Sequence, residues 1–101
     1  MLEPLLVTGD AALVPDVAFA IGETYRSEGQ HVAAAEYYMT AAYLAPESAS
    51  GHRAMLAAGQ SLAAAKHADA AAIVYRKLLA QSGVSADVAD AARQGLQSLA
   101  R

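Results

Sequence analysis

Apolar side chains recur every three or four positions along most of this chain, and this spacing predicts amphipathic α-helices. The alternation of Val, Ile and Thr that favours strands is absent, so the pattern predicts an all-α fold. Five helices separated by short turns are expected over residues 15–28, 31–44, 52–65, 69–81 and 86–100. Ser85 is expected to cap the last of them.

Turn residues set several of these boundaries. Gly29 tolerates the left-handed geometry that ends a helix, and Pro46 ends the second helix. Residues 47–51 are small and mostly polar, so they predict a loop. Ser48 or Ser50 would then cap the third helix.

Part of the pattern repeats after 37 residues, and the repeat involves glycine and tyrosine, which are scarce in this chain. Gly22, Ala34 and Tyr38 recur as Gly59, Ala71 and Tyr75. Two helices approach to about 8–10 Å only where small side chains lie at their crossing, and the glycines and alanines supply them. The tyrosines are expected to fill the gap towards the next pair of helices. The sequence therefore predicts two similar helix pairs followed by one further helix.

The first pair resembles the tetratricopeptide repeat, a unit of two antiparallel helices. Its matching positions within residues 15–48 are Ala18, Ile21-Gly22, Tyr25, Gly29, Ala34, Tyr38, Ala41 and Pro46. Residues 52–85 form a degenerate second unit, in which Leu62 stands in place of Tyr25 and Lys66 in place of Gly29. The resemblance implies a helical solenoid of about two repeats with a C-terminal capping helix over residues 86–101. Residues 1–14 are expected to form an N-terminal cap or extension.

Composition narrows the class of partner. The net charge is −3 and the seven Lys and Arg residues are scattered, so neither a nucleic-acid surface nor a membrane-binding patch is expected. The N-terminal residues Met1–Pro4 lack the basic start of a signal peptide. The uncharged run Ala54–Ala65 is too short to span a bilayer. These features predict a soluble cytoplasmic protein.

Candidate catalytic and metal-binding residues are few. The chain has no cysteine, and neither His31 nor His67 is followed four residues later by a carboxylate or a second histidine. Asp87 and Asp90 share one helix face, but at the start of a helix they are expected to interact with its dipole. No glycine-rich phosphate loop or nucleophile elbow occurs. We therefore expect no metal, no cofactor and no enzymatic activity.

The resemblance implies that the first helix of each unit lines a concave groove for a partner. Matched by position, the groove residues are Asp16, Phe19, Glu23 and Arg26 of the first unit and Arg53, Leu56, Gln60 and Ala63 of the second. Phe19 lies off the buried stripe of its helix and is a candidate binding hot spot; the alternative is that it packs under the N-terminal segment. Glu23 would repel a carboxylate, so the carboxylate clamp of related co-chaperones is not expected.

The function expected from these features is that of an adaptor or chaperone-like module that binds an extended peptide or a helix of a partner protein. Its size, acidity and groove also resemble the repeat chaperones of bacterial secretion systems. The alternative is a self-associating scaffold or homodimer, with Leu2–Val7 and the last helix supplying the apolar contact. Tyr37 and Tyr43 are not needed for the core stripe, so each is expected to be either partly buried or a contact residue on the outer face.

Overall fold

The computed structural model of the chain describes residues 14–100, and these residues form five α-helices and no strand. The helices are α1 (Pro15–Ser27), α2 (His31–Leu44), α3 (Ala49–Ala64), α4 (Ala68–Leu79) and α5 (Ala86–Leu99). The predicted all-α fold is confirmed for this part of the chain. The N-terminal cap or extension falls outside the described residues, apart from Val14, which directly precedes α1.

Helix α3 begins three residues earlier than the sequence predicts. Residues 49–51, which were expected to belong to a loop, are part of this helix. Ser48 is the N-cap residue, and its Oγ accepts a hydrogen bond of 2.9 Å from the backbone N–H of Gly51. Gly51 lies so close to the carbonyl oxygen of Ala45 that a β-carbon here would overlap it. Residues 49–51 therefore form a helical turn because Ser48 caps it and Gly51 leaves room for the preceding backbone.

The cap of α5 repeats the cap of α3. The Oγ of Ser85 accepts a hydrogen bond of 3.4 Å from the backbone N–H of Val88, as the sequence predicts for the start of this helix. Ser85 follows Ser48 by 37 residues, the same offset that relates the two glycines and tyrosines. Helix α5 therefore begins at the position where the first helix of a third unit would begin.

The α1–α2 and α3–α4 turns share one backbone geometry. Gly29 has a φ of 79°, and Lys66, 37 residues later, has a φ of 70°. This left-handed conformation costs a residue with a β-carbon roughly 1–2 kcal/mol, whereas glycine adopts it freely. The second turn therefore has the same shape as the first, but its backbone is strained at Lys66.

The repeated glycines and tyrosines meet within each helix pair, a contact that was not predicted from the sequence. A β-carbon placed on Gly22 would lie 2.8 Å from the Tyr38 ring, and one placed on Gly59 would lie 2.6 Å from the Tyr75 ring. Gly95 of α5 lies against the Cζ–Cε2 edge of the same Tyr75 ring. Two helices, α3 and α5, therefore contact one tyrosine of α4.

The core of the described residues is built mostly from alanine. Its fully buried members come from all five helices and are Ala18, Ala34, Tyr38, Ala54, Ala58, Ala71, Leu78 and Ala92. Small side chains let the helices approach closely, so a few large side chains fill the remaining volume. Two polar residues of α3, His52 and Ser61, are also buried.

Candidate partner-binding surface

Helices α1, α3 and α5 form a row of contacting helices, with α3 in the middle. Helix α3 contacts both α1 and α5, while α2 packs against α1 and α3, and α4 packs against α3 and α5. The eight predicted groove residues all lie on α1 or α3. They therefore belong to the row of helices α1, α3 and α5, which we call the α1–α3–α5 row.

In the first half of this row, polar side chains form hydrogen bonds with each other and with Tyr38 of α2. Arg26 Nη2 donates a hydrogen bond of 2.9 Å to Glu23 Oε1, and the hydroxyl of Tyr38 donates one of 2.9 Å to Glu23 Oε2. Both oxygens of Glu23 thus have partners within the molecule. Asp16, at the start of α1, is exposed and forms no ion pair within residues 14–100.

These contacts change the acidity of two groups. The hydrogen bond from Arg26 is the main reason that the pKa of Glu23 is lowered from its usual value. Burial raises the pKa of Tyr38 to about 12, and its hydrogen bond to the Glu23 carboxylate adds to the shift. At neutral pH, Glu23 is therefore a paired carboxylate and Tyr38 a neutral hydrogen-bond donor.

Phe19 is part of the protein's own packing, although it lies off the buried stripe of its helix. Its ring centroid lies 5.2 Å from that of Tyr38, with the ring planes inclined by 53°. The side chain is half-buried and packs against the core cluster. Its position off the alanine stripe of α1 is explained by the large tyrosine that it meets on α2. Packing under the N-terminal segment concerns residues outside the described range.

The predicted groove residues of α3 divide into two kinds. Leu56 and Ala63 are half-buried and pack against the core, whereas Arg53 and Gln60 are exposed. Arg53 forms no ion pair within residues 14–100. The charged and amide groups of this helix are thus directed to solvent.

Two clefts open between α3 and α5, and both include predicted groove residues. The larger, of about 490 Å³, has walls that include Gln60 and Ala63 from α3 and Gln94, Gly95 and Ser98 from α5. The smaller, of about 200 Å³, lies near the beginnings of the same helices, and its polar wall residues are His52, Arg53, Ser85 and Asp87. Helix α5 therefore supplies one wall of each cleft.

Sequence reasoning missed the contribution of α5. Gln94 of α5 is exposed and also lines the larger cleft. Two signals were available in the sequence. Ser85 repeats Ser48 at the 37-residue offset, and Gly95 is a third small residue of the kind that meets a tyrosine.

The remaining tyrosines and histidines differ in burial. Tyr37 is half-buried and stacks on Tyr25 with ring centroids 5.5 Å apart, whereas Tyr43 is 87% exposed. His67 is exposed. His31, the first residue of α2, is half-buried, and its Nδ1 atom is buried.

Within residues 14–100, no three His, Asp or Glu side chains are grouped so that they could hold a metal ion. None of the helices α1 to α5 is long and apolar enough to cross a membrane. No family model, curated protein or solved structure matches this chain.

Proposed function

We propose that this chain is a protein-interaction module of the tetratricopeptide type, in which the α1–α3–α5 row binds an extended peptide of a partner protein. Helix pairs α1–α2 and α3–α4 form two repeat units, and α5 serves as the first helix of an incomplete third. The module acts as an adaptor or chaperone and performs no reaction. Its partner is held by contacts along the concave side of the row.

The larger α3–α5 cleft is the observation that carries this proposal. Gln60 and Gln94 face it from two successive helices of the row, and neither side chain forms a hydrogen bond within residues 14–100. A carboxamide offers both a donor and an acceptor, which are the groups that pair with the main chain of an extended peptide. The cleft therefore suits a peptide that is recognised largely through its backbone.

The first half of the row has a different part in this proposal. Phe19 and Glu23 are already engaged with Tyr38, so they shape the row and offer few free groups to a partner. The principal contacts are then Arg53, Gln60 and Ala63 of α3 together with residues of α5. This moves the predicted site towards the C-terminal end of the row.

The test is the binding of a peptide selected from a random displayed library against the whole chain. Gln94→Lys places a long cation in the larger cleft, and we expect it to lower the affinity of the selected peptide by about tenfold, as loss of an interfacial hydrogen bond and steric conflict require. Gln97→Lys is the matched control, because Gln97 is exposed on the same helix but does not line the cleft. Isothermal titration calorimetry measures both affinities.

Equal losses of peptide affinity in Gln94→Lys and Gln97→Lys would show that the added positive charge alone weakens binding. The cleft would then no longer be supported as the binding site. Unchanged affinity in Gln94→Lys and in Gln60→Lys would do the same. Helical content measured by circular dichroism keeps folding separate from binding in each variant.

A second candidate, self-association, is favoured by one observation on α2. Tyr43 is 87% exposed and Leu44 is 45% exposed, so two large apolar side chains are exposed at the C-terminal end of α2. In the last helix, from which this contact was first expected, Val88, Leu96 and Leu99 are half-buried and pack against the core. Leu2–Val7 lie outside the described residues.

Light scattering over a concentration series distinguishes the two functions. A mass that rises with concentration and returns to that of the monomer in Tyr43→Ser would support self-association through α2. A constant monomer mass would exclude it and leave the peptide-binding proposal in place.

A further inference from the structure

Tyr75 of α4 forms part of the wall of the larger α3–α5 cleft, although its residue is only 2% exposed. The ring lies between two helices, with its Cδ1–Cε1 edge against Gly59 of α3 and its Cε2, Cζ and Oη atoms against Gly95 of α5. Gly95 also lines the cleft, whereas Gly59 does not. The part of Tyr75 nearest to the cleft wall is therefore the end of the ring that carries the hydroxyl.

The helix pair α1–α2 shows where a hydroxyl in this position points. The Tyr38 ring lies against Gly22 through the same Cδ1–Cε1 edge, and its hydroxyl donates a hydrogen bond of 2.9 Å to Glu23 of α1. Gln60 stands 37 residues after Glu23 and lines the larger cleft. Because both tyrosines lie on their glycines through the same ring edge, the Tyr75 hydroxyl is directed to the side of α3 on which Gln60 lies.

The Tyr75 hydroxyl lacks the partner that the Tyr38 hydroxyl has. It forms no hydrogen bond within residues 14–100, and burial, with no contribution from a hydrogen bond, raises the pKa of Tyr75. The fully buried polar atoms without a partner in this part of the chain belong to His31, His52 and Ser61. The Tyr75 oxygen is not among them, so it keeps a surface that a bound group can reach. A group that pairs with it forms a hydrogen bond that the free chain does not have.

The side chains around this hydroxyl are polar or apolar but uncharged. Gln60 and Gln94 supply carboxamides and Ser98 a second hydroxyl, and none of the described residues that line the cleft carries a charge. An ionised ligand would lose its hydration here without meeting an opposite charge. An uncharged amide instead finds a donor for its carbonyl oxygen at Tyr75 and an acceptor for its N–H at either carboxamide.

We propose that the Tyr75 hydroxyl donates a hydrogen bond to the carbonyl oxygen of an uncharged amide of the ligand, whose N–H donates to Gln60 or Gln94. The amide belongs either to the main chain of the peptide or to an asparagine or glutamine side chain. This inference rests on the proposed function, because it names the group that a bound peptide places in the cleft. Tyr75 thus packs through its ring and binds through its hydroxyl.

The experiment titrates the isotope-labelled whole chain with three capped tripeptides, N-acetyl-Ala-Ala-Ala-amide, N-acetyl-Ala-Gln-Ala-amide and N-acetyl-Ala-Glu-Ala-amide. We expect saturable shifts in the amide signals of residues 60–63 and 91–99, with a dissociation constant of about 5 mM for so small a ligand. The ¹³Cζ signal of Tyr75, which responds to hydrogen bonding of the phenol, should shift with them. Equal binding of the first two peptides assigns the amide to the main chain, and tighter binding of the second assigns it to a side chain. The third peptide should bind most weakly.

Tyr75→Phe removes only the hydroxyl and should weaken tripeptide binding about fivefold, as expected for the loss of one hydrogen bond. This variant is expected to fold, because the hydroxyl forms no hydrogen bond within residues 14–100. Tyr37→Phe is the matched control, since Tyr37 is a half-buried tyrosine of α2 that does not line the cleft. Its affinity for the tripeptides should equal that of the unmodified chain.

Three results would overturn the inference: shifts that stay linear with every tripeptide, an affinity that Tyr75→Phe leaves unchanged, and tightest binding of the glutamate peptide. The peptide selected from the displayed library separates this inference from the proposed function. If Gln94→Lys weakens that peptide and Tyr75→Phe does not, the inference fails and the proposed function stands. If Gln94→Lys and Gln60→Lys both leave it unchanged, the proposed function fails, and the tripeptides alone decide whether the Tyr75 hydroxyl binds an amide.

Discussion

The two halves of the α1–α3–α5 row use positions 37 residues apart in different ways. In the first half, Glu23 binds both Arg26 and Tyr38. In the second half, Gln60 occupies the position of Glu23 and Ala63 that of Arg26, and Gln60 forms no hydrogen bond within residues 14–100. One backbone arrangement therefore supports either internal pairing of polar groups or their presentation to a partner. The difference comes from two side chains.

The halves also differ in how tightly their tyrosines are held. The Tyr38 ring meets one glycine, Gly22, and is flanked by the half-buried Phe19. The Tyr75 ring meets two glycines, Gly59 and Gly95, from separate helices. A ring enclosed by two backbones has less freedom to move when either one changes. Tyr75 is thus enclosed by the backbones of two helices, although fewer surface polar groups are paired in its half of the row.

The largest expected effect tests this difference in packing. Gly59→Ala would bring a β-carbon to 2.6 Å from a Tyr75 ring that Gly95 holds in place, and we expect a loss of about 2 kcal/mol in the free energy of unfolding. Gly22→Ala, against a ring that meets a single glycine, should cost about 1 kcal/mol. Urea unfolding followed by circular dichroism measures both. Equal losses would mean that the second glycine does not restrain Tyr75.

A smaller effect tests the difference in pairing. Tyr38→Phe removes the hydrogen bond to Glu23 and should lower the free energy of unfolding by about 1 kcal/mol. Tyr75→Phe is the matched variant, because the Tyr75 hydroxyl forms no side-chain hydrogen bond within residues 14–100, and it should cost less. A cost for Tyr75→Phe as large as that for Tyr38→Phe would contradict the comparison.

Burial of Tyr38 and the hydrogen bond from Arg26 to Glu23 are the main causes of two pKa shifts, which predict a dependence of stability on pH. The pKa of Tyr38 is raised from 10.0 to about 12 in the folded chain. Its protonated hydroxyl therefore contributes fully to the free energy of unfolding below pH 10, and this contribution declines as the pH rises towards 12. The pKa of Glu23 is lowered below 4.5, so its contribution is present above that pH and is lost as the medium becomes more acidic. Tyr38→Phe should therefore lose less stability than the unmodified chain between pH 10 and 12. Chemical unfolding at each pH provides the measurement.

The smallest effect concerns the two turns. Lys66→Gly removes the strain of a left-handed lysine and should stabilise the chain by about 0.5–1 kcal/mol, after allowance for the greater freedom of glycine in the unfolded state. Gly29→Lys introduces the same strain into the first turn and should destabilise it by a similar amount. The midpoint of thermal unfolding should therefore rise in Lys66→Gly and fall in Gly29→Lys. An unchanged midpoint in both variants would show that the turn backbone relaxes when these residues are substituted.

Much of the fold was predictable because it depends on local patterns. Small residues at a 37-residue offset indicated that Gly22 and Gly59 lie where helices pack closely, and Ser85 was recognised as a cap, whereas the contacts of these glycines with Tyr38 and Tyr75 were not predicted. The start of α3 was missed because Gly51 resembles a loop residue in sequence. Its reason for being glycine, the nearby carbonyl of Ala45, exists only in the folded chain.

The candidate surface was less predictable than the fold. Periodicity indicates that Gln94 is exposed, but it does not indicate that α5 lies beside α3 and makes Gln94 a wall of a cleft. Nor does it show that Phe19 packs on Tyr38 or that Glu23 accepts the hydroxyl of Tyr38. These contacts depend on how α1, α2, α3 and α5 are placed relative to one another.

The position of Tyr75 between Gly59 and Gly95 has a consequence for how the chain comes apart. Stacked helical repeats commonly unfold unit by unit, since each unit is coupled to its immediate neighbours. Here one aromatic ring of α4 contacts both α3 and α5. Detachment of α5 therefore also weakens the packing of Tyr75 against α3. The last three helices should then open in a single cooperative step, and their slowest-exchanging amides should show equal protection from hydrogen exchange.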